Sequence, residues 1–181
     1  MSNFTPVCWL DTWKLACSLE ARWGLFDAET PGLPKTIMLR APRKGADPED
    51  GAAYVRTREF SRWEECRNVV ERIRRIAVAT VGEIEFGRIF LELLPAGAVL
   101  PWERASGGYA EKFLRAHLAL RSNPQAIMLS GIEGACLLPG NLTIVSRAMP
   151  CSAINLGQAP RVHLVADWRR KADDQNSSPA T

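Results

Sequence analysis

A chain of 181 residues with 46% hydrophobic content fits one compact domain with a sizeable core. Its formal charge of +3 is too small to mark a nucleic-acid binder without a clustered basic patch. The densest basic run, Arg72-Ile-Arg-Arg75, falls inside an amphipathic helix pattern and reads as its solvated face. Five scattered cysteines, odd in number and without a CxxC pair, suit a reducing cytoplasm better than a disulfide framework or a zinc finger. The N-terminus has no basic segment followed by an apolar run, and no apolar stretch approaches the ~20 residues that cross a bilayer. The expectation is a soluble cytoplasmic protein with no membrane or nucleic-acid partner.

Along the chain, Thr12 to Phe26 is rich in Trp, Leu and Ala and predicts a helix ending at Gly24. Thr36-Ile-Met-Leu-Arg40 predicts a short strand between Pro34 and Pro42, and Arg43 to Ala52 an exposed loop. Ser61 with Glu64 three residues later has the form of a capping box. Apolar residues then recur at Trp63, Cys66, Val69, Val70, Ile73, Ile76 and Ala77, one stripe on a helix of about four turns. That helix is expected to pack on a sheet and carry no chemistry.

From Gly87 the period shortens. Arg88 to Leu94 predicts a strand, with turn residues Pro95 and Gly97 after it. Further apolar runs fall at 113–120, 126–129, 135–138, 142–145, 152–154 and 162–166, many separated by Gly, Pro, Asn or Ser. Short strands at this spacing predict an antiparallel sandwich or barrel rather than parallel βαβ units. The polar segment from Arg169 to Thr181 predicts a disordered tail. One domain is expected over 1–168, helical and irregular through 83 and β from 84.

Three segments carry a further signal: Leu100-Pro-Trp-Glu-Arg104, Arg115-Ala-His-Leu-Ala-Leu120, and Met149 to Gly157 followed by Arg161-Val-His-Leu-Val-Ala-Asp167. In order and approximate spacing they resemble the motifs of the aspartyl/asparaginyl β-hydroxylase family, which are 2-oxoglutarate- and Fe(II)-dependent oxygenases. The resemblance implies a mainly β, α+β fold: a double-stranded β-helix (jelly roll, cupin-like) with flanking helices. It also sets Trp102, Arg104 and Cys151 where the family has its His, carboxylate and second His. Indole nitrogen only donates hydrogen bonds, and a guanidinium repels a divalent cation. Fe(II) is therefore not expected at that seat, nor is a catalytic residue. Gly131 to Gly134 and Leu138 to Asn141 match turn positions of the family, as do Asn155 and Gly157 before the last strand.

Arg115, His117 and Arg161 match positions that the family uses for its oxoacid, and His163 shares a strand face with Arg161 if that strand alternates. With Arg104 these form the expected ligand-binding set, suited to 2-oxoglutarate or a similar dicarboxylate, since a guanidinium fork binds a carboxylate through two parallel hydrogen bonds. The alternative for the arginines is structural pairing with Asp167, Glu103 or Glu133. Trp102 has two readings, as a side chain filling the vacated metal volume or as an aromatic wall for a ligand. The leading expectation is an iron-free member of the superfamily that binds a small anion or regulates a protein partner. The alternatives are an active oxygenase whose metal is held by Cys151 with one or both of His117 and His163, and a structural or partner-binding protein with a filled barrel.

Overall fold

The computed structural model describes residues 2–21, 33–47, 53–54 and 57–171. In chain order the elements are β1 (Phe4–Trp9), α1 (Trp13–Glu20), β2 (Lys35–Pro42), β3 (Thr57–Glu59), α2 (Trp63–Val81), β4 (Ile84–Leu94) and β5 (Val99–Glu103). There follow α3 (Gly107–Lys112), β6 (Leu114–Arg121), β7 (Ala126–Ser130), β8 (Glu133–Ala135), β9 (Asn141–Val145), β10 (Cys151–Asn155) and β11 (Arg161–Arg170).

The strands form a seven-stranded sheet in the order β1-β9-β6-β11-β4-β2-β3 and a four-stranded sheet in the order β5-β10-β7-β8. From β4 onward the chain passes back and forth between them, with β4, β6, β9 and β11 in the large sheet and β5, the β7–β8 hairpin and β10 in the small one. All strand pairs are antiparallel. That alternation is the jelly-roll winding, as expected.

The large sheet has two unlike faces because side chains alternate along each strand. On the outer face Ile89, Leu91 and Leu93 of β4, Ala116, Leu118 and Leu120 of β6, and Val162, Leu164 and Ala166 of β11 form one apolar cluster. Leu15 and Leu19 of α1 and Trp63, Val70, Ile73 and Ala77 of α2 cover it. The inner face, turned towards the small sheet, holds Glu92, His117, His163, Arg115 and Asp167. At one end the space between the sheets is filled by Leu94, Ala119, Met128, Val145 and Ala153. Asn155 closes that end: its amide donates to the carbonyls of Leu94, Pro95 and Ala159, and its oxygen accepts from Asn123 Nδ2 and the Gly157 amide.

Several boundaries differ from the sequence reading. The helix after Ser61 starts at Trp63 with Arg62 as its cap residue and no side-chain cap bond, so Ser61 and Glu64 form no capping box. Glu64 and Glu65 still lie in the first turn, where acidic groups offset the helix dipole. The first helix is described only to Glu20, and the expected end at Gly24 lies outside the described residues, as do residues 48–52 of the loop. Arg169 and Arg170 belong to β11 rather than to a tail; Arg169 pairs with Glu85 on the neighbouring strand, while 172–181 lie outside the described residues. The run at 135–138 sits as a strand at Glu133–Ala135, ahead of the expected position. β1, β3, β5 and α3 had no counterpart in the sequence reading. The Gly140 turn has φ 87°, which only glycine adopts readily, and an added Cβ would meet the Trp9 ring at 2.3 Å.

Candidate ligand cavity and its buried polar floor

A cavity of about 410 Å³ lies between the two sheets. Arg88, Glu92, Arg115 and His117 form its floor on the large sheet. Leu100, Glu103, Arg104, Met128 and Cys151 stand opposite, and Arg147, from the loop after β9, borders it from the side.

The floor is ordered by strand register. Asp167 of β11 lies opposite Arg115 of β6, and the two form a bidentate pair, with Nε to Oδ1 at 2.8 Å and Nη2 to Oδ2 at 2.9 Å. Burial opposes the charged guanidinium of Arg115, but the hydrogen bonds and charge of Asp167 outweigh it and hold the group above its ordinary value. Tyr109 of α3 donates to Asp167 Oδ2 at 3.0 Å and accepts from the Arg88 amide at 2.8 Å. Gly87 is what lets Tyr109 approach, since a Cβ there would meet the phenol oxygen at 2.2 Å. Tyr109 stacks on Phe113, with ring centroids 4.3 Å apart, and Tyr54 packs on both.

Further along β11, His163 lies opposite Glu92 of β4. Its Nδ1 is 3.3 Å from Nδ1 of His117, and the rings meet edge to face. One donor atom from each of Glu92, His117 and His163 lies within 4.8 Å of the others. Arg161, at the start of β11, is fully buried and hydrogen-bonds to Glu92 through Nη2. Burial pulls the Arg161 guanidinium below its ordinary value, with Glu92 partly offsetting it. Burial also pushes both histidines well below their usual value; Arg115 and Arg161 add to this for His117, as do Arg161 and His117 for His163. Both imidazoles are neutral at pH 7.

Arg147 is the least matched charge at the cavity. Its side chain is 13% exposed, and its nearest acid, Asp167, is 3.9 Å away and already bound by Arg115 and Tyr109. Nε and Nη1 of Arg147 are buried without a hydrogen-bond partner. Burial, and then the charge of Arg115, hold its guanidinium below the ordinary value.

The expected site residues thus meet different fates. Arg104, Arg115 and His117 border the cavity. Arg161 and His163 lie in its floor without lining it, and Arg115 has the Asp167 pairing that stood as its alternative. Three arginines do not converge on one open space as expected, because Glu92 takes Arg161. Glu133 accepts instead from Ser2 Oγ and the Asn3 amide. Trp102 neither fills the cavity nor walls it: it is 55% exposed and absent from the lining. The donor that joins the two histidines is Glu92, not Cys151, whose thiol lies 3.4 Å from the carbonyl oxygens of Ser146 and Met149.

Sequence reasoning overlooked Arg147 and Glu92. Arg147 carries no local signal, because an arginine in a loop before Pro150 reads as solvated. Glu92 had one: a single acid inside Ile89-Phe-Leu-Glu-Leu-Leu94 cannot be buried there without a partner.

No family model matches the chain, and no curated protein does. Solved structures share its fold. One is the non-heme alpha ketoglutarate dependent epimerase SnoN from nogalamycin biosynthesis, at TM-score 0.61 and 15% identity over 93% of this chain and 78% of that one. Another is a Pseudomonas putida prolyl-4-hydroxylase, at TM-score 0.55 and 17% identity over 93% of both chains. A third is an oxidoreductase of the 2OG-Fe(II) oxygenase family from Burkholderia pseudomallei, at TM-score 0.56 and 13% identity over 89% and 91%. At these identities the likeness establishes architecture: the chain has the jelly-roll fold on which those oxygenases are built.

Proposed function

We propose that this protein binds a small carboxylate-bearing anion in the cavity between its sheets, with Arg147 as the main contact and Arg104 at the rim. The unmatched Arg147 guanidinium carries this reading. Its ion pair to Asp167 at 3.9 Å and its place over the Tyr109 ring leave Nε and Nη1 buried without hydrogen bonds, and an entering carboxylate would supply them in charge-assisted form. Arg115 and Arg161, already held by Asp167 and Glu92, set the positive potential and keep the floor rigid.

Fe(II), named in the description of the Burkholderia oxidoreductase, does not fit the residues that the sequence resemblance sets at its seat. Cys151 pairs in register with Glu103, so β5 and β10 bring Trp102, Arg104 and Cys151 to one end of the small sheet. Yet Trp102 is exposed there and offers no lone pair, Arg104 is cationic, and the Cys151 thiol lies between two carbonyl oxygens. No step is routed through iron at that seat. The reading is of a binding protein on an oxygenase scaffold.

Because SnoN is named as alpha ketoglutarate dependent, 2-oxoglutarate is the first carboxylate to try, with succinate beside it. Thermal unfolding with each should show saturable stabilisation, ~2.7 kcal/mol at a hundredfold excess over the dissociation constant. The diamide of succinate should give none. Equal shifts with the neutral diamide, or none with any carboxylate, would remove the proposal.

A further inference from the structure

We propose that Glu92, His117 and His163 form a binding site for one divalent ion of the zinc type in the cavity floor. This site is distinct from the end of the small sheet where Trp102, Arg104 and Cys151 lie. It does not rest on the anion reading, since its donor atoms are different ones.

The geometry comes from three adjacent strands. β4, β11 and β6 place one carboxylate and two imidazoles on the same sheet face, with donor atoms within 4.8 Å of one another. The two Nδ1 atoms are 3.3 Å apart, a separation that a single imidazole N–H···N bond can span when no ion is present. For an ion ~2.05 Å from each nitrogen, the same separation corresponds to an angle of about 107°, close to tetrahedral.

The surroundings suit three protein ligands and an open position. Arg161 holds one oxygen of Glu92 and so orients the carboxylate, the role that outer hydrogen bonds play at metal centres. Its positive charge weakens the site for a bare dication, which limits the affinity to be expected. Glu92 and His117 both border the cavity, so a fourth position on the ion would face solvent or an exogenous anion. Both imidazoles are neutral at pH 7, so their lone pairs need not be freed of a proton. Two nitrogens and one carboxylate oxygen suit zinc and its spectroscopic stand-in cobalt, and offer no preference for the hard ions magnesium and calcium.

The full chain, treated with chelator and exchanged into a carboxylate-free buffer, should be titrated with Co(II) and then with Zn(II). The expected result is one equivalent of Co(II) with visible d–d bands of a nitrogen and oxygen site, no thiolate charge-transfer band, and displacement by Zn(II). Glu92→Gln keeps an oxygen for Arg161 and so should fold, but it should weaken binding by at least roughly tenfold. His117→Asn should abolish the bands, with circular dichroism confirming the fold. A thiolate charge-transfer band, no saturable binding by the folded wild-type chain, or undiminished binding in Glu92→Gln would each overturn the proposal.

Discussion

The two faces of β11 are equally buried and chemically opposite. Val162, Leu164, Ala166 and Trp168 point to the helices, while Arg161, His163 and Asp167 on the same strand lie on the inner face, and all seven are at most 3% exposed. The outer face lowers the free energy by removing apolar surface from water, with little else asked of it. The inner face buries charge, which stabilises only when every donor finds its acceptor. Asp167 achieves this with Arg115 and Tyr109; Arg161 leaves Nε and Nη1 without hydrogen bonds, and so does Arg147 near Asp167.

Substitutions on the two faces should therefore behave differently. Asp167→Ala should have the largest effect, a loss of ~3–5 kcal/mol in denaturant unfolding, because it strands the Arg115 guanidinium and the Tyr109 hydroxyl together. Leu164→Ala on the opposite face should cost ~2–4 kcal/mol through the cavity it leaves, with no change in anion response. Equal losses of anion response in both variants would erase the distinction between the faces.

A third test uses pH. The chain has two histidines, and both are on the inner face, so a histidine-linked slope belongs to this pair. Their folded values lie well below the unfolded value of ~6.5, so the neutral form is favoured by folding. Stability should be flat with respect to these groups above that pH. It should fall as pH drops from ~6.5 towards ~5, because the unfolded chain takes up protons that the fold refuses. Urea unfolding across that window checks it, and a stability that rises on acidification would contradict the burial of neutral rings. The smallest expected effect is that of Arg147→Met, which removes an unmatched buried cation. Its melting temperature should stay level or rise slightly, while the anion response disappears.

Much of this was legible in the residues. Alternation from Arg88 onward marks the strands, and the spacing from Trp63 to Ala77 marks α2, because both periods follow from burying one face. The order of Arg115, His117, Arg161 and His163 placed them in one region, and the structure sets all four on one sheet face. Strand β1 escaped notice because Pro6 interrupts it; as an edge strand paired with β9 alone it tolerates the missing amide, with a bulge beside it. The partners Glu92 and Arg147 were hidden for a different reason. They lie 25 residues before His117 and 30 after it, and only the winding of the sheets brings all three to the same cavity. Trp102 misled because a large ring suggests burial, whereas β5 leaves it half in solvent.

No helix among the described residues is long and apolar enough to cross a membrane, and the five cysteines are unpaired. The proposed anion site stands or falls with Arg147, whose Nε and Nη1 are buried without hydrogen bonds at the cavity wall. Isothermal titration of 2-oxoglutarate into the wild-type chain and into Arg147→Met tests it most directly. One saturable equivalent in the wild type and none in the folded variant is the predicted result; identical isotherms for the two proteins would contradict it.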